Sequence, residues 1–451
     1  MFSRHGWDIH DSWSRQFGQV FKFYGPLGTK GLYVFDPKAL HHIIVKDQMI
    51  YEEPRWFISW NTMIHGPGLL STLGDQHRNQ RRVLNPVFSI NHMRHMTPIF
   101  YNTVHRLRTA ILAELKDARP DVDVLSWMGR LALELVGQGG LGYSFDPLIE
   151  NTRNEFGEAI KLLVLGTPAL RRLVARYLPN KNMQKMRMVV ETLSQKTREI
   201  YGQKKAALEK GDENVVQQIG EGKDILSVLT MDTTSNALSR TFQLLAEHPD
   251  VQDKMRAELV EAAGGETEDI PYDQLVSLPY LDAVCRETLR LHPPVTFLFR
   301  ETREDVIMPL ANPIHGVDGS LISEILVPKE TSISIGIRAC NRNKDIWGED
   351  ALEWKPERWL SPLPEAIGKA HIPGVYSNLM TFLGGGRSCI GFKFSQLEMK
   401  VVLAVLLRSF KFSLSGKDIV WNLAGVNYPT VGKTSSKPSM PLKVEVIERT
   451  A

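Results

Sequence analysis

The sequence predicts a mainly α protein with small β-sheets (α+β), and three observations predict it. Apolar residues recur at helical spacing through most of the stretch from about Asp75 to Gly264. Short runs rich in aromatic and β-branched residues, punctuated by Gly and Pro, stand before that stretch and again after Pro293-Pro294. No internal repeat or low-complexity linker divides the 451 residues. The chain therefore reads as one interlocked domain, 1–451. Its N-terminal part, about 18–75, is β-rich; the middle, about 76–292, is helical; the last part, about 293–451, mixes strands and helices.

Taken in order, Gln19–Gly25 (QVFKFYG) and Gly31–Pro37 (GLYVFDP) read as strands. Pro37–Asp47 follows as a helix, with Pro37 suited to the first turn because the N–H it lacks is unpaired there anyway. Met183–Gly211 is a long amphipathic helix closed by Gly211, and 211–224 is a polar loop. Asp224–Asp250 carries a second long helical pattern, stopped near Pro249. Past the double proline, Asp305–Leu310, Leu321–Pro328 and Thr331–Ala339 are strand-like. A helix runs from Cys389 to about Phe410, and strands and turns complete the chain.

Composition narrows the function. Lys+Arg 54 against Asp+Glu 51 leaves a net charge of +3, with no basic tract interleaved with aromatics. That excludes a nucleic-acid binder. Cys285, Cys340 and Cys389 form no C-x-x-C pair. The spacing argues against a zinc cluster and a disulfide framework, and fits a reducing compartment. The N-terminal residues hold no apolar run fit for a signal peptide or anchor. The densest apolar run, Val401–Leu407, is too short to cross a bilayer, so no transmembrane segment is expected.

One cysteine stands apart. Cys389 lies in Thr381–Phe394 (TFLGGGRSCIGFKF), at the start of a helical pattern where free N–H groups and the macrodipole favour a thiolate. Gly384, Gly385, Gly386 and Gly391 leave the loop without side chains, so a flat partner could approach its backbone. Arg387 offers a fixed positive charge to a carboxylate or phosphate on that partner. The bland alternative is a structural cysteine after a Gly-rich turn. A phosphate-binding loop fails, because Phe392-Lys393 follows Gly391 where Lys-Ser/Thr is required.

Phe382-x-x-Gly385-x-Arg387-x-Cys389-x-Gly391 resembles the haem-binding loop of the cytochrome P450 family, eukaryotic and microsomal in type. The resemblance, from roughly Gly18 to Ile447, implies the P450-type fold and haem b, with Cys389 as axial thiolate. Arg387 would pair with a propionate and Phe382 would lie against the porphyrin. A thiolate ligand pushes electron density onto iron and favours O–O cleavage. Glu287-x-x-Arg290 spans one helical turn and, with Arg358 of WKPERWL, resembles the family's buried Glu–Arg–Arg network. Glu52/Arg55 and Glu150/Arg153 share the Glu-x-x-Arg spacing but read as exposed charge pairs. His77 and Arg81 resemble the family's W-x-x-x-R element with histidine for tryptophan, and Arg300 resembles the arginine on the strand after the double proline. All three imply contacts with the propionates.

The oxygen-handling element is matched in part. Asp232, Thr233 and Thr234 fit it, with Leu229 and Thr230 standing where a small pair belongs. The resemblance gives Thr233 a hydrogen bond to bound oxygen and Asp232 a place in the proton relay. From Asp224 to Pro249 the helix spans only about 37 Å, shorter than the family's longest helix. The expectation is an internal deletion of a few tens of residues, with Asp224 capping a substitute helix start. Relatives carry an N-terminal membrane helix and sit on the cytosolic face of the endoplasmic reticulum. Without that anchor, the chain is expected to be peripheral or cytoplasmic. The function implied is monooxygenation of an apolar small molecule by O₂. Electrons would come from NADPH through a P450 reductase that docks on the positive face near the cysteine loop. The rivals are a haem-binding protein with an impaired distal side, and a reductase-independent isomerase or peroxygenase.

Overall fold

In the computed structural model residues 3–148 and 225–447 are described, apart from 26–27, 66, 117–120, 142–143, 147, 265–267 and 317; at 225–231 only the helical backbone is described. The expected helix at 183–211, the polar loop after it, Glu150/Arg153 and the Asp224 cap lie outside these residues.

The N-terminal part opens on a helix that sequence patterning missed, α1 (Trp7–Phe17). Strands β1 (Val20–Tyr24) and β2 (Lys30–Val34) follow where expected and pair antiparallel. Helix α2 (Pro37–His41) starts with Pro37 in its first turn, and Asp36 caps it by accepting from the Ala39 N–H at 2.9 Å. It continues as a π-turn to Lys46. After the short β3 (Tyr51–Glu52) come α3 (Arg55–His65), α4 (Gly74–Leu84), the 27-residue α5 (Ile90–Lys116), β4 (Asp121–Asp123) and α6 (Val124–Val136).

The next described helix, α7 (Ile225–Glu247), runs without a break through Asp232-Thr233-Thr234. Ile225–Leu229 therefore joins the Asp232-Thr233-Thr234 element as continuous helix. Then come α8 (Pro249–Ala263), α9 (Tyr272–Ser277) and α10 (Pro279–Leu291). Strands β5 (Phe297–Thr302), β6 (Val306–His315), β7 (Leu321–Val327) and β8 (Ser332–Gly336) follow. The predicted strand at Thr331–Ala339 ends early, because Ile337–Asn341 turns into the short helix α11. Helices α12 (Lys344–Trp347) and α13 (Glu365–Ala370) lead to the cysteine loop.

Helix α14 starts at Phe392, not at Cys389 as expected, and ends at Ser409. The cause is local hydrogen bonding. The Cys389 N–H is spent on the Phe382 carbonyl at 2.8 Å, folding the loop back before Gly391, the N-cap residue, leads into the helix. Strands β9 (Phe410–Leu414), β10 (Ile419–Asn422), β11 (Tyr428–Val431) and β12 (Pro441–Val446) close the chain.

Two sheets weave distant parts of the sequence together. One has order β1-β2-β8-β5-β3, with β2 and β8 parallel and Leu32 opposite Ile333; another places β12 between β4 and β9. Residues Val401–Leu407 of α14 are all buried, which is what a helix apolar on every side requires. Each such Val or Leu contributes roughly 1.5–3 kcal/mol on burial. Phe394, at the start of that helix, meets Phe100 of α5 edge-on with centroids 4.9 Å apart. The core thus fixes α14, and the loop ahead of it, against α5.

Candidate haem site

The cysteine loop packs by backbone. A Cβ on Gly384 would run into the Pro373 carbonyl, and one on Gly385, whose φ is +62°, into the Ile44 carbonyl. Gly386 donates its N–H to Gln48 Oε1 at 2.8 Å. The glycines therefore bring the loop close to the protein's own main chain, where a close approach by a flat partner was expected. Phe382 is buried beside Tyr376, and Gly391 is the N-cap residue just ahead of α14.

Cys389 opens onto a cavity of about 220 Å³. Its lining includes Phe382, Leu383 and Met399 near the cysteine loop in sequence, Thr233, Thr234 and Ala237 of α7, and Val295 and Leu298. Among the described residues, Cys389 is the one exposed cysteine, and it belongs to the lining of this space. Burial pushes its thiol pKa up, while the Gly391 N–H and the Arg81 charge pull it down. Thr234 is buried, and its Oγ1 has no hydrogen-bond partner among the described residues. Asp232 and Thr233 are half-buried, and the Asp232 carbonyl accepts from Asn236 Nδ2 at 2.7 Å. The side chains of Leu229 and Thr230 lie outside the described atoms.

Three expected arginines and His77 gather near the loop. Arg81 donates to the Ser388 carbonyl and, at 3.2 Å, to Ser388 Oγ. Arg387 donates to the Thr72 carbonyl at 2.9 Å and faces Glu52 at 3.5 Å. Arg300 pairs with Glu53 at 3.0 Å. His77 is buried beside these charges; desolvation first, then Arg387 and Arg81, push its pKa down to about 4, so it is neutral. Glu52 corrects the sequence reading. It is buried toward Arg387, while Arg55 turns to Glu330 at 2.9 Å and Glu301 at 3.4 Å. Its Glu-x-x-Arg spacing carried no sign of this, because β3 is extended and separates the two side chains.

The Glu287–Arg290–Arg358 trio does meet. Glu287 and Arg290 are fully buried and joined by two 2.8 Å hydrogen bonds; Arg358 Nε reaches Glu287 Oε1 at 3.3 Å, and Trp359 Nε1 reaches Oε2 at 3.0 Å. Arg290 also donates to the carbonyls of Asn341 and Ala351. Asn341, which sequence reasoning missed, carries this network to the cysteine loop. Its Nδ2 donates to Thr381 Oγ1 at 2.9 Å, its Oδ1 accepts from the Met380 N–H at 2.8 Å, and Thr381 donates to the Leu289 carbonyl at 2.8 Å.

The cytochrome P450 family model matches residues 2–434, a span that includes this thiol, the apolar slot and the arginines near it. The chain belongs to the cytochrome P450 family. Curated relatives agree. It is 52% identical to cytochrome P450 monooxygenase 91 of Postia placenta, over 100% of this chain and 91% of that protein. It is 46% identical to ganoderic acid synthetase CYP5150L8 of Ganoderma lucidum, over 98% of this chain and 90% of that protein. The first match runs over 496 positions against 451 residues here; 496 less 451 leaves at least 45 at which the relative has residues and this P450 has none. The cofactor of the family is haem, and the slot fits it: apolar walls for a macrocycle, a sulfur donor, and cations for an anionic edge. Among the described residues, no helix is long and apolar enough to cross a membrane.

Proposed function

We propose that this P450 is a haem-thiolate monooxygenase that acts on an apolar organic substrate, with Cys389 as the axial ligand. The observation that carries this is the shared cavity: the Cys389 sulfur and the hydroxyl-bearing face of α7 open onto one apolar space. Bound haem supplies activation of O₂ by two electrons, one oxygen atom going into the substrate and the other leaving as water.

The chain's own residues do the rest. Arg81, Arg300, Arg387 and neutral His77 would hold the haem carboxylates, with Glu52 and Glu53 keeping Arg387 and Arg300 in place until then. Thr233, which lines the cavity, would pass a proton into it, with Asp232 feeding that relay. The apolar wall excludes bulk water and orients the substrate by shape. Glu287, Arg290 and Arg358 hold the loop in register and do not touch the chemistry. Arg82 and Lys46, exposed beside the loop, offer an acidic reductase fed by NADPH a positive landing surface. The single-domain reading rests on the two sheets shared between the ends of the chain. The missing positions fit a deletion ahead of Asp232, and an endoplasmic-reticulum surface or the cytoplasm remains the expected location.

The test is the reduced, carbon monoxide-bound spectrum. Wild-type protein gives the thiolate-type band and Cys389→Ala loses it; an unchanged spectrum rejects Cys389. Reductant consumption with no product under any apolar substrate would instead favour the haem-binding, catalytically impaired alternative. Turnover with peroxide alone would favour a reductase-independent enzyme.

A further inference from the structure

A second cavity, of about 360 Å³, lies beside the first and differs in chemistry. Arg240, Arg338 and Arg342 line it together with His292, and Trp7 and Trp421 cover Arg338 and Arg240 as cation–π partners at 4.9 and 5.1 Å. Among the described residues, only Arg338 of the three has a carboxylate in contact, held by both oxygens of Asp11. Arg240 donates to Gln243 Oε1 at 3.1 Å and approaches His292 Nε2 at 3.4 Å; the carboxylate of Glu247 stands behind Gln243, which donates to it at 2.8 Å. Arg342 donates through Nε to the Leu291 carbonyl at 2.8 Å.

Among the described residues, neither Arg240 nor Arg342 is in an ion pair. Burial pushes Arg240 down to about 10 and Arg342 well below its ordinary value, and the neighbouring guanidiniums push Arg342 further. His292 is held neutral by burial and by the same charges, so it adds none of its own. Uncompensated buried cations are costly unless an anion meets them. Three buried polar atoms of the lining also lack partners among the described residues: Arg240 Nε, Thr296 Oγ1 and Asn236 Oδ1. The first two can donate to an anion, and the third can take a bridging water.

The two cavities are neighbours on one helix. Thr233 and Ala237 line the first, Asn236 and Arg240 the second, and Pro294 lines both. Seven residues at 1.5 Å each put Arg240 about 10 Å along α7 from Thr233. The pocket is separate from Arg81, Arg300 and Arg387, the cations assigned to haem.

We propose that this pocket binds the carboxylate of the substrate, so that the substrate class is an apolar molecule bearing a carboxylic acid about 10 Å from the carbon presented to the oxidising centre. The placement of that carbon rests on the haem-thiolate reading; the anion pocket does not.

The test uses the haem-loaded full chain with sodium dodecanoate, methyl dodecanoate and sodium acetate, read by calorimetry and by the ligand-induced haem absorption shift. Dodecanoate is expected to bind at least about tenfold more tightly than its ester and to shift the haem spectrum, since a charge-assisted hydrogen bond carries about that factor. Arg240→Met should remove the preference for the acid, and Arg240→Lys should restore part of it. Equal binding of acid and ester to the wild type overturns the proposal without any variant. Dodecanoate binding that leaves the haem spectrum unmoved overturns the link to substrate, whereas acetate, too short to span about 10 Å, is expected to bind without a shift. Loss of the thiolate-type carbon monoxide band would instead sink the haem-thiolate reading, while acid preference by calorimetry would still stand.

Discussion

Asn341→Ala isolates the connection between the buried charge network and the cysteine loop. Asn341 is fully buried, and its side chain makes two hydrogen bonds, to Thr381 Oγ1 and from the Met380 N–H. Truncation orphans the Met380 N–H in a fully buried residue, at about 1–3 kcal/mol. The lost bond to Thr381 adds about 1 kcal/mol. Thr381 itself keeps its donation to the Leu289 carbonyl, so no further donor is stranded. The expected loss is about 2–4 kcal/mol, a large fraction of the 5–15 kcal/mol typical of folded proteins. Because the loop carries Cys389, the loss should fall first on the metal centre. In a urea titration of haem-loaded protein, the thiolate-type carbon monoxide band of the variant should disappear before the far-ultraviolet circular dichroism changes. The Asn341→Ala/Thr381→Val double mutant should show a coupling of about 1 kcal/mol. A midpoint within about 0.5 kcal/mol of wild type, or band and dichroism lost together as in the wild type, would refute the reasoning.

Glu287→Ala leaves Arg290 fully buried without its carboxylate and should cost about 3–5 kcal/mol, read as little or no haem-loaded protein on expression. His77 makes stability depend on pH in the apoprotein. Folded, it stays neutral down to about 4; unfolded, it protonates near 6.5, so the unfolded chain binds the extra proton between these values. Stability should therefore fall as pH drops from 6.5 toward 4, and His77→Phe should flatten that limb of a thermal-melt series. Thr233→Ala should keep the carbon monoxide band while lowering product formed per O₂ consumed; unchanged coupling would remove Thr233 from the proton path.

Part of this was legible through the resemblance to a family, carried by motifs whose spacing alone was weaker. The loop around Cys389 declared itself because its fixed positions are dense and local, and Glu287/Arg290 because a helical turn forces them together. Thr233 was read from a partial match to the family's oxygen element, and it lines the cavity onto which Cys389 opens. What could not be read was long-range. Glu52 meets Arg387 across 335 positions, and Asn341 meets Thr381 across 40, with no periodicity linking either pair. The loop glycines were read as space for a ligand, yet their close neighbours are carbonyls of Pro373 and Ile44, which sequence cannot bring near. The cation pocket was invisible for the same reason, its arginines coming from α7, α11 and the turn beyond it.

The parallel pairing of β2 with β8 has a consequence for how the chain matures on the ribosome. Leu32 meets Lys22 of β1 at once, but the other edge of its strand must wait for Ile333, about 300 residues later. At about 5–20 residues per second that delay is roughly 15–60 s, during which an apolar strand edge is bare to other nascent chains. Holdase chaperones, and slower translation near the end of the message, are thus expected to govern yield more than any stability-enhancing change within the core.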